Sequence, residues 1–76
     1  MTKIVLPELG EGITQARVVR WNFREGQQVT PADDVVELVT DKAVFNVPAP
    51  ASGAITRIYY KEGQEAPVGA VLADLA

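Results

Sequence analysis

The sequence predicts an all-β fold, a small antiparallel sandwich or flattened barrel of roughly seven or eight short strands. Three observations predict it. Runs of β-branched and aromatic residues are punctuated by Gly, Pro, Asn and Asp. Pro7, Pro31, Pro48, Pro50 and Pro67 leave no clean window for a helix longer than about ten residues. The chain also repeats itself: Arg24-Glu25-Gly26-Gln27 returns 37 residues later as Lys61-Glu62-Gly63-Gln64. A long period that occurs twice reads as two similar halves packed together, because a solenoid needs about three units or more.

Taken in order, the elements follow from these signals. An N-terminal strand carries Lys3 and ends at Pro7. A surface loop then runs through Glu8-Leu9-Gly10-Glu11-Gly12. Its two glycines could suggest a phosphate cradle, but two acidic side chains repel phosphate and no Lys-Ser/Thr pair or helix start follows. About four residues around Ile13 to Arg17 have no counterpart in the second half. Val18, Trp21 and Phe23 then match Ile55, Ile58 and Tyr60, strand positions with Trp21 and Phe23 in or beside the core. Glu25-Gly26-Gln27 and Glu62-Gly63-Gln64 read as turns in which glycine takes positive φ. Val35, Glu37 and Leu38 match Leu72, Asp74 and Leu75 at the same spacing. Leu6-Pro7 and Gly12 match Val47-Pro48 and Gly53 at a spacing of 41.

The hairpin between Val35–Val39 and Val44–Val47 can be written out residue by residue. With Asp41 and Lys42 at its tip, Thr40 faces Ala43, Val39 faces Val44, Leu38 faces Phe45, Glu37 faces Asn46 and Val36 faces Val47. That register sorts Val36, Leu38, Phe45 and Val47 onto one apolar face and Glu37 and Asn46 onto the other, and a slip of one residue destroys the sorting. Asp-Lys is not the Asn-Gly pair of a type I′ turn, so a type I turn in a slightly longer loop is expected.

Composition narrows the function. At 76 residues there is one domain, and 47% hydrophobic with 22% charged residues is globular usage. A net charge of −3 with scattered basic residues argues against a nucleic-acid or anionic-membrane surface. No Cys means no disulfide framework or thiolate, and no His removes the commonest general base and metal ligand. No apolar run approaches the roughly 20 residues that span a bilayer. The expectation is a soluble intracellular domain without catalytic machinery of its own, since neither base nor nucleophile is evident. Asp33, Asp34, Glu37 and Asp41 lack EF-hand spacing and read as turn and outer-face charges. Of the three lysines, only Lys42 stands at a hairpin tip, where a modifying enzyme can reach it.

These residues resemble the lipoyl domains of 2-oxo acid dehydrogenase complexes over essentially the whole chain. Leu6-Pro7-Glu8-Leu9-Gly10-Glu11-Gly12-Ile13 is similar to the opening of those domains in the dihydrolipoamide acyltransferase (E2) components. Thr40-Asp41-Lys42-Ala43 resembles the lipoylation motif, and Val47-Pro48-Ala49-Pro50-Ala51-Ser52-Gly53 the return strand and crossover. The resemblance implies two four-stranded antiparallel sheets with quasi-two-fold symmetry and lipoate joined by an amide to Lys42. It implies a swinging arm that carries acyl groups and reducing equivalents between the thiamine-dependent decarboxylase (E1), the acyltransferase catalytic domain and dihydrolipoamide dehydrogenase (E3). Thr40, Asp41 and Ala43 are then expected to be read by a lipoyl ligase, or by an octanoyltransferase with lipoyl synthase. Glu8, Leu9, Gly10, Glu11, Gly12, Val39 and Val44 are expected to contact partners. A monomeric domain in the bacterial cytoplasm, or in the mitochondrial matrix of a eukaryote, goes with that reading.

The chain departs from the family pattern at one pair of positions. An acidic residue usually stands three places before the lysine, where this chain has Val39, and a polar one where it has Val44. Two other readings compete. A biotin carboxyl carrier shares the architecture, but its acceptor lysine sits in Met-Lys-Met, and here Asp41 and Ala43 flank it. The other is an interaction module whose Lys42 is never modified.

Overall fold

The computed structural model describes residues 2–76, which form eight strands in two four-stranded sheets. The strands are β1 (Thr2–Val5), β2 (Gln15–Trp21), β3 (Gln28–Val29), β4 (Asp34–Val39), β5 (Val44–Pro48), β6 (Gly53–Ile58), β7 (Glu65–Pro67) and β8 (Val71–Leu75). One sheet has the order β1-β8-β6-β3 and the other β5-β4-β2-β7, with every pair antiparallel. The repeat explains the order. Shifting β1, β2, β3 and β4 by the sequence period gives β5, β6, β7 and β8, and the same shift turns one sheet into the other. Each sheet therefore draws strands from both halves.

The correspondence extends to individual hydrogen bonds. Gly26 N donates to Ile55 O at 2.6 Å, and Gly63 N to Val18 O at 2.8 Å. Ile55 N donates to Gln27 O, and Val18 N to Gln64 O. The Glu25 carboxylate accepts from Ile58 N at 2.8 Å, while that of Glu62 accepts from Trp21 N at 3.1 Å. Each Glu-Gly-Gln turn thus satisfies backbone groups of the other half. The glycines take φ of 93° at Gly26 and 90° at Gly63, the conformation the turn chemistry predicted.

The β4–β5 register is the one expected: Val36↔Val47, Glu37↔Asn46, Leu38↔Phe45 and Val39↔Val44. Alternation puts Val36, Leu38 and Val47 in the core with Phe45 half-buried, and leaves Asn46 and Val44 outside. Four register shifts lay outside the sequence reading, at Val19 in β2, Thr56 in β6, Val35 in β4 and Leu72 in β8. Val35 is an extra residue between the Asp34↔Pro48 and Val36↔Val47 pairs, and Leu72 is its equivalent between Ile4↔Ala73 and Val5↔Val71. Both bulges let two consecutive residues face inward, Val35 with Val36 and Leu72 with Ala73.

Between the sheets lies one apolar cluster that includes Ile4, Leu6, Val18, Leu38, Ile55 and Leu72, and Trp21, Phe23, Ile58 and Tyr60 pack against it. At about 1.5–3 kcal/mol for each fully buried aliphatic side chain, this burial outweighs any single surface contact. The Trp21 indole Nε1 donates to Tyr60 O at 2.7 Å, so its polar edge is satisfied where its ring is half-buried.

A candidate carrier lysine at a hairpin tip

Four residues, Thr40 to Ala43, join β4 to β5. Thr40 N donates to Ala43 O at 2.9 Å, which closes the hairpin on one side. On the other side the Thr40 hydroxyl replaces the backbone carbonyl. It accepts from Lys42 N and Ala43 N, both at 3.2 Å, and donates to Ala43 O at 3.3 Å. No non-glycine residue among those described has positive φ, so Asp41 and Lys42 do not form a type I′ turn. Sequence reading assigned Thr40 to enzyme recognition. The structure gives its side chain a second task, holding the two amides that follow it. The motif for this was visible, a Thr two and three residues before the amides it serves.

Lys42 is exposed, as are Asp41 and Ala43. Among the described residues the one ion pair within 4.0 Å joins Lys3 to Asp74, so no carboxylate engages the Lys42 ammonium. The amine therefore stands at the end of a flexible stem on a turn whose backbone is pinned. Its neighbour Ala43 is too short to screen it. A carbonyl carbon brought by another protein can approach the nitrogen without breaking a contact inside the domain. The described residues hold no His/Cys/Asp/Glu group with metal-binding geometry.

Beside the tip lies a groove of about 430 Å³. Gly12, Ile13 and Thr14 line it together with Arg17, Val39 and Asp41. Gly12 of the first loop thus shares this groove with Thr40 and Asp41, while Glu8, Leu9, Gly10 and Glu11 do not line it, and Leu9 is half-buried against the core. Glu8, Gly10, Glu11 and Gly12 remain exposed. Val39 and Val44 oppose each other on the outer face, Val44 being 58% exposed.

A network that the sequence did not signal lies on the outer face of the other sheet. Asp74, 7% exposed, accepts from the Tyr59 hydroxyl at 2.6 Å and from Lys3 Nζ at 3.3 Å. The Arg57 guanidinium sits 4.9 Å from the centre of the Tyr59 ring. The Tyr59 hydrogen bond holds the Asp74 carboxyl below its ordinary range, against the opposing push of desolvation, with Lys3 adding to the effect. The same hydrogen bond, with desolvation, raises the Tyr59 hydroxyl above its ordinary value.

Known proteins match both sequence and fold. A biotin/lipoyl family profile, described as "Biotin-requiring enzyme", matches residues 2–75. The dihydrolipoyllysine-residue succinyltransferase component of the 2-oxoglutarate dehydrogenase complex of Bartonella vinsonii subsp. berkhoffii is 41% identical over 71 residues, 93% of this chain and 17% of that protein. The dihydrolipoyllysine-residue acetyltransferase component of the pyruvate dehydrogenase complex of Staphylococcus aureus (strain Mu50 / ATCC 700699) is 36% identical over 67 residues, 88% of this chain and 16% of that protein. This chain thus spans about a sixth of the length of these relatives. The solution structure of the lipoyl domain of the 2-oxoglutarate dehydrogenase complex from Azotobacter vinelandii superposes with a TM-score of 0.80 at 32% identity, covering 100% of this chain and 96% of that one. With the pinned lysine tip, the two interlocked sheets and these matches together, the chain belongs to the biotin/lipoyl attachment family and is one of its lipoyl domains.

Proposed function

We propose that Lys42 is the attachment point of lipoate and that the domain carries acyl groups and electrons within a 2-oxo acid dehydrogenase complex. The observation that carries this reading is an exposed amine, free of any ion pair, on a turn held by Thr40. The residues fit the group. The neutral amine attacks an activated carboxyl carbon, the C–N bond forms, the activating group leaves with its bonding pair, and the nitrogen loses a proton. When bound, the group supplies a dithiolane that accepts an acyl unit and two electrons. The chain's own share is placement: Thr40 fixes where the arm begins, and the paired strands hold that origin against the core.

In this reading Asp41 and Ala43 are read, with Thr40, by a lipoyl ligase or by an octanoyltransferase followed by lipoyl synthase. The exposed part of the Glu8–Gly12 loop, Val39 and Val44 face the enzymes that use the arm. Those enzymes are the E1 decarboxylase, the E2 catalytic domain and the E3 dehydrogenase. The bacterial cytoplasm or the mitochondrial matrix is the compartment that goes with them. Lipoate is favoured over biotin because Lys42 lacks the flanking methionines of biotin acceptors.

Incubation with lipoate, ATP and a lipoate ligase tests the reading by mass. One lipoyl group on the parent and none on Lys42→Ala is the expected result. No gain on the parent, or an equal gain on the variant, overturns it. A parallel incubation with biotin and a biotin ligase separates the biotin-carrier reading.

A further inference from the structure

Arg24 and Lys61 also stand exposed in turns, and those turns are braced in several ways. The amide of each donates to a glutamine side chain, Arg24 N to Gln27 Oε1 at 2.6 Å and Lys61 N to Gln64 Oε1 at 2.7 Å. A backbone bond returns from Gln27 N to Arg24 O and from Gln64 N to Lys61 O. A glycine at φ near 90° shapes each turn, and Glu25 or Glu62 ties it to the opposite half. The turn at Lys42 has no glycine and no such tie. The backbone bond within it runs from Thr40 N to Ala43 O, and the remaining brace is the Thr40 hydroxyl.

A hydroxyl has one proton to give and two lone pairs to accept with. That of Thr40 donates to Ala43 O at 3.3 Å and accepts from Lys42 N and Ala43 N at 3.2 Å each. Its whole capacity is used inside the turn. An enzyme that approaches the tip finds no donor or acceptor left on it. The side chains of Asp41 and Ala43 are exposed, whereas Thr40 is half-buried.

We infer that Thr40 is a positioning residue for attachment: its oxygen fixes the backbone at Lys42, and so the origin of the amine, without touching the modifying enzyme. The inference rests on the reading of Lys42 as the attachment point. It goes further by separating Thr40, which acts through the turn, from Asp41 and Ala43, which are open to direct contact. Amide formation needs the nitrogen within about 3–3.5 Å of the activated carbon and aligned with it. A flexible stem meets that condition when its base is already in place. With the Lys42 and Ala43 amides unheld, the turn spends part of its time in other conformations. Apparent affinity then falls by the fraction that stays competent, so the effect appears in KM.

The test is the kinetics of lipoylation of the whole domain by a lipoate ligase supplied with lipoate and ATP. Thr40→Val keeps the shape and removes the oxygen. Thr40→Ser keeps the hydroxyl and removes the methyl. Thr40→Asn discards both, but its side-chain oxygen can accept from the amide two residues on. Thr40→Val is expected to raise KM at least about threefold with kcat within about twofold of the parent. Thr40→Ser and Thr40→Asn are expected to return KM to within about twofold of the parent's. Thermal unfolding of each variant verifies that folded domains are compared. A parent-like KM for Thr40→Val overturns the inference. So does a Thr40→Asn form as impaired as Thr40→Val, because the hydroxyl is then a group the ligase touches. A parent that gains no lipoyl group overturns the attachment reading and this inference with it.

Discussion

Glu25 holds Ile58 across the boundary between the two halves of the sequence: its Oε2 accepts the Ile58 amide at 2.8 Å. Glu62 returns the bond to Trp21 at 3.1 Å. Both acidic side chains sit in turns, which the sequence marked only by their glycines. Their placement converts each turn into a clasp on the opposite half.

Removing one clasp should be measurable. Glu25→Ala and Glu62→Ala are each expected to lower unfolding free energy by about 1 kcal/mol, the net worth of one hydrogen bond at an exposed site. Glu25→Gln keeps an acceptor and should recover most of the loss. Urea denaturation of the three variants checks this.

The tip itself carries little stability. Lys42→Ala is expected to unfold within about 0.5 kcal/mol of the parent, because an exposed side chain without contacts is lost. Thr40→Val is different. Loss of its hydroxyl frees the Lys42 and Ala43 amides, at a cost of about 1 kcal/mol. Faster hydrogen exchange at those two amides, with Thr40→Ser restoring the slow rate, is the expected signature.

Two kinds of glycine should fail for different reasons. Gly26→Val and Gly63→Val strain a backbone held at φ near 90°, although a Cβ there meets nothing within 4 Å. About 1–3 kcal/mol of destabilisation follows from strain alone. Gly53→Ala has no positive φ to blame, but its Cβ would come within 2.5 Å of Ala76 O. Its penalty is a backbone collision. Trimming the last residue should relieve Gly53→Ala and do nothing for Gly26→Val, which thermal unfolding can show.

The Asp74 network sets a pH window. Asp74 is lowered in the folded state, so its contribution is complete above the unfolded carboxyl value near 4 and disappears as pH falls through the lower folded value. Tyr59 is raised, so its contribution is complete below about pH 10 and disappears as pH climbs through the higher folded value. Tyr59→Phe should shift the acid limb upward by removing the main cause of the Asp74 depression. Asp74→Asn should flatten that limb. An unchanged acid limb in Tyr59→Phe would exclude the assignment. Melting temperatures between pH 2 and 7 provide the comparison.

Much of this architecture was readable because two local signals agreed. Alternation in Val36–Leu38 and Phe45–Val47 fixed the hairpin register, and Lys42 then had to lie at its tip. The Glu-Gly-Gln repeats announced both the turns and the two-fold relation. The bulges at Val35 and Leu72 were not readable, because neither carries a glycine or a break in hydrophobicity. The Asp74 network was hidden for another reason. Tyr59 and Lys3 lie 15 and 71 residues from Asp74 in sequence, and only the sheet brings them to its carboxylate. Leu9 was assigned to a partner-facing loop, but its apolar side chain turns to the core.

The pairing of Thr2 with Leu75 has a mechanical corollary. The internal rotation that carries one half onto the other carries the lysine-bearing bend onto this pair. A leash fixed beside either of these residues therefore pulls on the sheet that does not carry the Lys42 bend.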